Sequence, residues 1–194
     1  MEAEPESRVR VGPLEAGDVD RLAALAREIW YAHYPAIISV AQIEYMLAER
    51  YRAEVVRAEL RRNDVWWDKL IVAGSMEGFA SYFLSGVPGE MKLDKLYVHP
   101  RLQRRGYGGM MIARAGEVAR VRGCDRLVLA VNKNNRSAID AYLKHGFCIA
   151  HTAVKDIGGG FVMDDYIMAK TLVGGPSTVL GTGPSTGSGQ AGGG

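Results

Sequence analysis

Apolar residues recur at helical spacing in two stretches near the start of the chain, then give way to short runs bounded by turn residues. Leu22, Leu25, Ala26 and Ile29 predict a helix over 18–30, with Asp18 as its cap. Ser39 followed three positions later by Gln42 is a capping-box pattern, which satisfies free backbone N–H groups at a helix start. It opens a second helix predicted to run to about Arg62, with a face of Ile43, Met46, Leu47, Tyr51, Val55 and Leu60. Arg8–Pro13 reads as a short strand ahead of both. Further strands are predicted over 69–73, 78–84, 92–98 and 126–131, the first two joined through Gly74-Ser-Met-Glu-Gly78. Trp66 and Trp67 are expected to pack just ahead of the first of these. Helices over 108–122 and 135–145 are stopped by Gly123 and Gly146. A hairpin over 147–154 and 161–169 turns around Ile157-Gly-Gly-Gly160. The pattern is an α/β domain with interleaved strands and helices, open at one edge.

Composition narrows the function classes. With 194 residues the chain fits one domain. From Thr171 onward it carries no charge and is rich in glycine, so residues 173–194 are expected to be a disordered tail. Residues 1–7 are expected to be a flexible N-terminus, leaving a domain over 8–172. Lys plus Arg is 24 against 22 for Asp plus Glu, which lacks the basic excess of a dedicated nucleic-acid binder. The longest uncharged run before the tail, 29–43, is interrupted by His33, Pro35, Ser39 and Gln42 and falls short of the roughly 20 apolar residues of a membrane span. The N-terminus lacks the apolar core of an export signal, and Cys124 and Cys148 are too few for a disulfide scaffold. The chain therefore reads as cytoplasmic, reduced and free of membrane and metal. His33, His99 and His151 have no ligand partners at metal-binding spacing.

The strongest local signal is Leu93-Asp-Lys-Leu-Tyr-Val-His-Pro-Arg-Leu-Gln-Arg-Arg-Gly-Tyr-Gly-Gly109. A strand runs into a glycine- and arginine-rich loop that opens a helix. Glycine permits close backbone approach, and the first N–H groups of a helix are unpaired beside the positive end of its dipole. Together they form a cradle for a pyrophosphate. A P-loop is excluded because Gly108-Gly-Met-Met lacks the Lys-Ser/Thr ending, and a dinucleotide fingerprint fails at Met111. What remains is a Gln/Arg-x-x-Gly-x-Gly loop, met by Gln103, Gly106 and Gly108.

This loop resembles the acetyl-CoA loop of the GCN5-related N-acetyltransferase (GNAT) family. A second block downstream, Asn135-Arg-Ser-Ala-Ile-Asp-Ala-Tyr-Leu-Lys-His-Gly-Phe147, is similar to that family's second signature in order and spacing. The resemblance implies a GNAT-type mixed central sheet with a V-shaped split between two parallel strands, here 92–98 and 126–131, flanked by helices. Acetyl-CoA is the implied co-substrate. Its pantetheine arm is expected along Leu96, Tyr97 and Val98. Its pyrophosphate is expected on the N–H groups from Arg104 through Arg105, Gly106, Tyr107 and Gly108 to Gly109. Gln103 belongs to the same loop, and Asn135 either caps its helix, contacts the coenzyme, or does both. The resemblance also allows a homodimer, since many members of the family dimerise.

Acetyl transfer to an amine needs the ammonium deprotonated, a donor for the oxyanion and a proton for the departing thiolate. By resemblance Tyr142 is the proton donor and the Val98 N–H the oxyanion donor; packing in its helix face is the alternative for Tyr142. Asp94 stands where polyamine acetyltransferases of this family carry a catalytic glutamate, so it is the expected base, against the alternative of an ion pair with Lys92 or Lys95. Glu90, Asp164, Asp165, Tyr97 and a chain of waters are the other candidates. Residues 30–38 and 156–166, aromatic and acidic, are where the family forms its acceptor pocket, and they suit a cationic amine. Aromatics there are also common in a core, and Asp156 also suits a turn. The expected activity is direct acetyl transfer from acetyl-CoA to a primary amine of a small molecule or peptide. A protein N-terminal or lysine acetyltransferase and a non-catalytic acyl-CoA sensor are the rival readings.

Overall fold

The computed structural model describes residues 9–172; the expected N-terminal extension and glycine-rich tail lie outside the described residues. Among the described residues seven strands form one sheet: β1 (Arg10–Pro13), β2 (Val65–Val72), β3 (Ser75–Leu84), β4 (Glu90–Val98), β5 (Arg126–Asn132), β6 (Cys148–Gly158) and β7 (Phe161–Thr171). Their order is β1-β2-β3-β4-β5-β7-β6, with β4 and β5 parallel and every other pair antiparallel. Helices α1 (Val19–His33), α2 (Val40–Arg50) and α3 (Ala53–Glu59) cover one face, while α4 (Tyr107–Val121) packs on the other and α5 (Arg136–Lys144) follows β5. The mixed, helix-flanked sheet is the architecture expected.

Each face has its own core, because strand side chains alternate between faces. Leu22, Leu25, Ile29, Ile43, Val56 and Phe79 fill the α1–α3 side, and Met91, Leu93, Met111, Ala115, Leu127 and Leu129 the α4 side. The second helix is shorter than predicted. It ends at Arg50, and the non-helical Arg52 separates it from α3. Continuous helical spacing would bury Val55; the break rotates the chain so that Val56 is buried instead, while Tyr51 wedges between Trp30 and Phe79. Trp66 and Trp67 lie inside β2 rather than before it, and the β2–β3 turn is the two residues Ala73 and Gly74, both at positive φ.

Two departures from regularity shape the centre of the sheet. A β-bulge at Ser81/Tyr82 leaves Asp94 as an extra residue between Leu93 and Lys95, so β4 bends there. Parallel pairing of β4 with β5 is confined to Glu90–Lys92 against Arg126–Val128. Beyond it β5 stays paired with β7 and β4 with β3, so the two central strands part and leave a split.

Candidate active site

One wall of the split is a free strand edge. The N–H of His99 donates to the Glu77 carbonyl at 2.8 Å, so His99 and Tyr97 turn their backbone groups to β3. Leu96 and Val98 alternate with them and turn theirs into the split. A molecule lying there meets an unpaired edge, the arrangement used when an extended ligand adds to a sheet. Of the three residues expected to line it, Leu96 and Val98 present backbone groups, while Tyr97 contributes its side chain.

The glycine loop follows β4 at the open end of the split. Gly106 caps α4 at φ 84° and Arg104 adopts φ 62°, a left-handed pair that turns the chain sharply into the helix. Among the described residues no backbone N–H from Arg104 to Gly109 donates a hydrogen bond; the first one used is that of Met110, to the Gly106 carbonyl at 3.1 Å. A Cβ on Gly106 or Gly108 would meet nothing within 4 Å, so glycine at 108 is not required by internal packing and leaves room outside the helix end. Gly109 is different: a Cβ there would stand 2.5 Å from His145, where α4 approaches the end of α5. Gln103, Arg104 and Arg105 are exposed beside this cradle. Free amides, positive φ and exposed guanidinium groups fit a pyrophosphate. Upstream, the Arg101 guanidinium pairs with buried Glu77 and anchors the loop to β3.

Asn135 is buried and acts as a hub. Its Oδ1 accepts from the Ala138 N–H (3.4 Å) and the Ser137 hydroxyl (3.2 Å), and it lies 3.2 Å from His33 Nε2. It therefore caps α5 and ties it to the end of α1. About two turns along, Tyr142 is half-buried against Phe147, with ring centroids 5.6 Å apart. Burial pushes its phenol up to about 12, so it is fully protonated at neutral pH.

The α1–α3 side of the split holds a cluster of phenols. The Tyr34 hydroxyl lies 3.3 Å from that of Tyr97, and Tyr97 packs near Trp30, Tyr51 and Phe79. Burial pushes Tyr34 and Tyr97 well above the usual phenol range, so both stay neutral and neither is a base near pH 7. Trp30 itself is core.

The bulge turns both Asp94 and Lys95 to this same side. Asp94 binds Arg50 at 2.5 Å and Lys95 at 2.8 Å, with Lys92 at 3.9 Å. Lys95 is buried over the Trp67 ring and reaches Glu59 at 3.5 Å. Burial works to raise the Asp94 carboxyl, but the Lys95 and Arg50 charges outweigh it and hold the group well below the carboxylate range. The clamp matches the ion-pair alternative for this residue, extended to a third cation, Arg50, that the sequence did not place there.

The remaining acids separate by position. Glu90 stands at the closed end of the split, 3.8 Å from Arg126. Asp164 is exposed and paired with Lys133. Asp165 pairs in register with Asn132 at the open end. Among the described residues its Oδ1, which is buried, has no hydrogen-bond partner. Asp156 accepts from the Gly158 N–H at 2.8 Å, a turn role.

The β6–β7 hairpin tip is pinned to α2. Tyr45 donates to the Ile157 carbonyl at 2.7 Å, and Gln42 Nε2 lies 3.4 Å from the Val162 carbonyl. Glycine at 158 makes this approach feasible, since a Cβ would lie 2.5 Å from the Tyr45 hydroxyl. The His33–Asn135 contact draws the end of α1 to the start of α5 at the other side.

Comparison with known proteins agrees with this fold. The profile of the Acetyltransferase (GNAT) family matches residues 23–147. A spermidine N(1)-acetyltransferase of Thermoplasma acidophilum is 25% identical over 158 residues, spanning 80% of this chain and 96% of its own. The PaiA N-acetyltransferase of Thermoplasma acidophilum, solved in complex with coenzyme A, superposes with a TM-score of 0.73 at 24% identity over 84% of this chain and 99% of its own. The ribosomal-protein-S18-alanine N-acetyltransferase of Escherichia coli shares the fold, with a TM-score of 0.63 at 20% identity over 89% of this chain and 99% of its own. No helix among the described residues is long and apolar enough to cross a membrane. The chain belongs to the GNAT family of acetyltransferases and is an acetyl-CoA-dependent N-acetyltransferase.

Proposed function

We propose that the chain acetylates a primary amine of a small cationic molecule, of the polyamine class, by direct transfer in a ternary complex. The observation that supports a small acceptor is the hairpin tip, which Tyr45 and Gln42 pin to α2. A protein tail needs an open groove there. The relative's activity toward spermidine supports the same class. Direct transfer is favoured because the free cysteines lie away from the split: Cys124 is buried, and Cys148 is on the edge strand β6.

Acetyl-CoA supplies an activated thioester. In this reading its phosphates rest on the amides from Arg104 to Gly109, with Gln103, Arg104 and Arg105 around them. Its pantetheine arm pairs with Leu96 and Val98 and passes the Tyr97 side chain. The Val98 N–H then faces the carbonyl oxygen as charge develops on it. Tyr142 hydrogen-bonds the sulfur. Complete transfer from a phenol near 12 to a thiolate near 8.5 is uphill by roughly 5 kcal/mol, so the Tyr142 proton crosses only as another replaces it. Asp94, clamped by two cations, is a weak proton acceptor; its part is to hold Arg50 and Lys95 in place.

The test is free-thiol release from acetyl-CoA with spermidine, spermine, amino acids, aminoglycosides and short peptides with free N-termini. Polyamines are expected to exceed the peptides by at least about tenfold in kcat/KM, the order one well-placed charge contact supplies. A preference for peptides overturns the small-acceptor reading, and no turnover with any amine overturns the catalytic one.

A further inference from the structure

The clamp on Asp94 leaves the deprotonation of the acceptor without an owner, and the rest of the site offers one. Asp165 lies on β7 at the open end of the split. Counting up from Lys92 opposite Val128, its register partner Asn132 is about four residues higher, roughly level with Leu96 across the gap. Val131 and Tyr166 turn to the α4 side, so Asn132 and Asp165 turn to the side of Tyr34, Tyr97 and Arg50. Tyr34 lies within electrostatic reach of both Asp165 and Tyr142. Among the described residues the buried Oδ1 of Asp165 has no partner, whereas buried polar groups in proteins are normally satisfied. The other acids are taken: Asp94 by Arg50 and Lys95, Asp164 by Lys133, and Glu90 sits beside Arg126 at the closed end.

We propose that Asp165 is a catalytic residue: its half-buried carboxylate, with no ion-pair partner holding it among the described residues, receives the acceptor ammonium and takes its proton. This rests on the acetyl-transfer reading given above. The charged groups facing Asp165 are Asp164 on its own strand, Lys92 on β4, Lys133 after β5 and Arg50 on α2, with the neutral phenol of Tyr34. Burial, reinforced by Asp164, raises its carboxyl against the offset of the three cations, which makes it a stronger base than Asp94. The balance is simple. One proton passes from the ammonium to Asp165 and on to solvent. The nitrogen lone pair forms the C–N bond as the C–S bond breaks. The second proton, shed by the amide nitrogen, reaches the sulfur through the Tyr142 hydroxyl.

The experiment compares the full native chain with Asp165→Asn and Asp165→Glu, using acetyl-CoA and spermidine from pH 6 to 10, with acetyl-CoA affinity measured in parallel. Asp165→Asn is expected to lower kcat by about 10²-fold near pH 7, the range for loss of a general base, with acetyl-CoA affinity unchanged. The deficit should narrow toward the amine's own pKa near 10.4, where free amine accumulates. Asp165→Glu should restore part of the rate. An unchanged kcat, or a deficit constant across the pH range, overturns the assignment while leaving the acetyl-transfer reading intact. A native chain that binds acetyl-CoA but acetylates no amine overturns both.

Discussion

Asp94→Asn separates a clamped structural anion from a catalytic base. Asp94 is 11% exposed and holds Lys95, whose side chain is 2% exposed, at 2.8 Å. Breaking a buried ion pair by neutralising one partner costs about 3–5 kcal/mol, because the other charge is stranded. Two features reduce this. Lys95 keeps Glu59 at 3.5 Å, and Arg50, 38% exposed, is screened by water so that its share is about 1 kcal/mol or less. The expected loss is therefore about 2–4 kcal/mol, which at an m-value of about 2 kcal/mol/M moves the urea midpoint down by about 1–2 M. The sign with pH follows from the depressed carboxyl. Its stabilisation is fully present above the unfolded value near 3.9 and fades as pH falls below it toward the folded value, so native and variant should converge in strong acid. Equilibrium urea unfolding at pH 7 and pH 3 reads both effects. A midpoint shift under about 0.3 M at pH 7, or a difference that persists undiminished at pH 3, would refute the clamp.

The remaining predictions concern the cradle, the acid and the cap. Gly108→Glu places a carboxylate where phosphate is expected, and acetyl-CoA binding by calorimetry should be lost; retained affinity removes the loop from the pyrophosphate site. Tyr142→Phe should lower kcat by about 10²-fold with unchanged acetyl-CoA affinity, whereas an unchanged rate assigns Tyr142 to packing alone. Asn135→Ala removes the α5 cap and the contact with His33, and should cost about 1–2 kcal/mol by thermal or urea unfolding. A loss below about 0.3 kcal/mol contradicts its role as a hub.

The order of the elements and the glycine loop were legible in the sequence because both depend on local pattern: apolar period, caps and turn residues. The break after Arg50 was not, since no Gly or Pro marks it and Tyr51 extends the helical face. Tertiary packing of Tyr51 on Trp30 and Phe79, with Val56 buried, decides it. The bulge at Asp94 was hidden for a similar reason. Strict alternation puts Asp94 and Lys95 on opposite faces, whereas the extra residue turns both toward Arg50, a partner 44 positions away. The acids near the site were visible as a set, but only the strand register distinguishes Asp165 at the open end from Glu90 at the closed one.

The central claim is that acetyl-CoA occupies the split along the free edge of β4 and the N-terminus of α4. Amide hydrogen exchange resolved by residue, with and without coenzyme A, tests it most directly. The Val98 amide and those from Arg104 to Gly109 are expected to gain protection on binding, while the Tyr97 amide, already turned to β3, should change little. Protection elsewhere, with Val98 and the loop unaltered, would contradict the account.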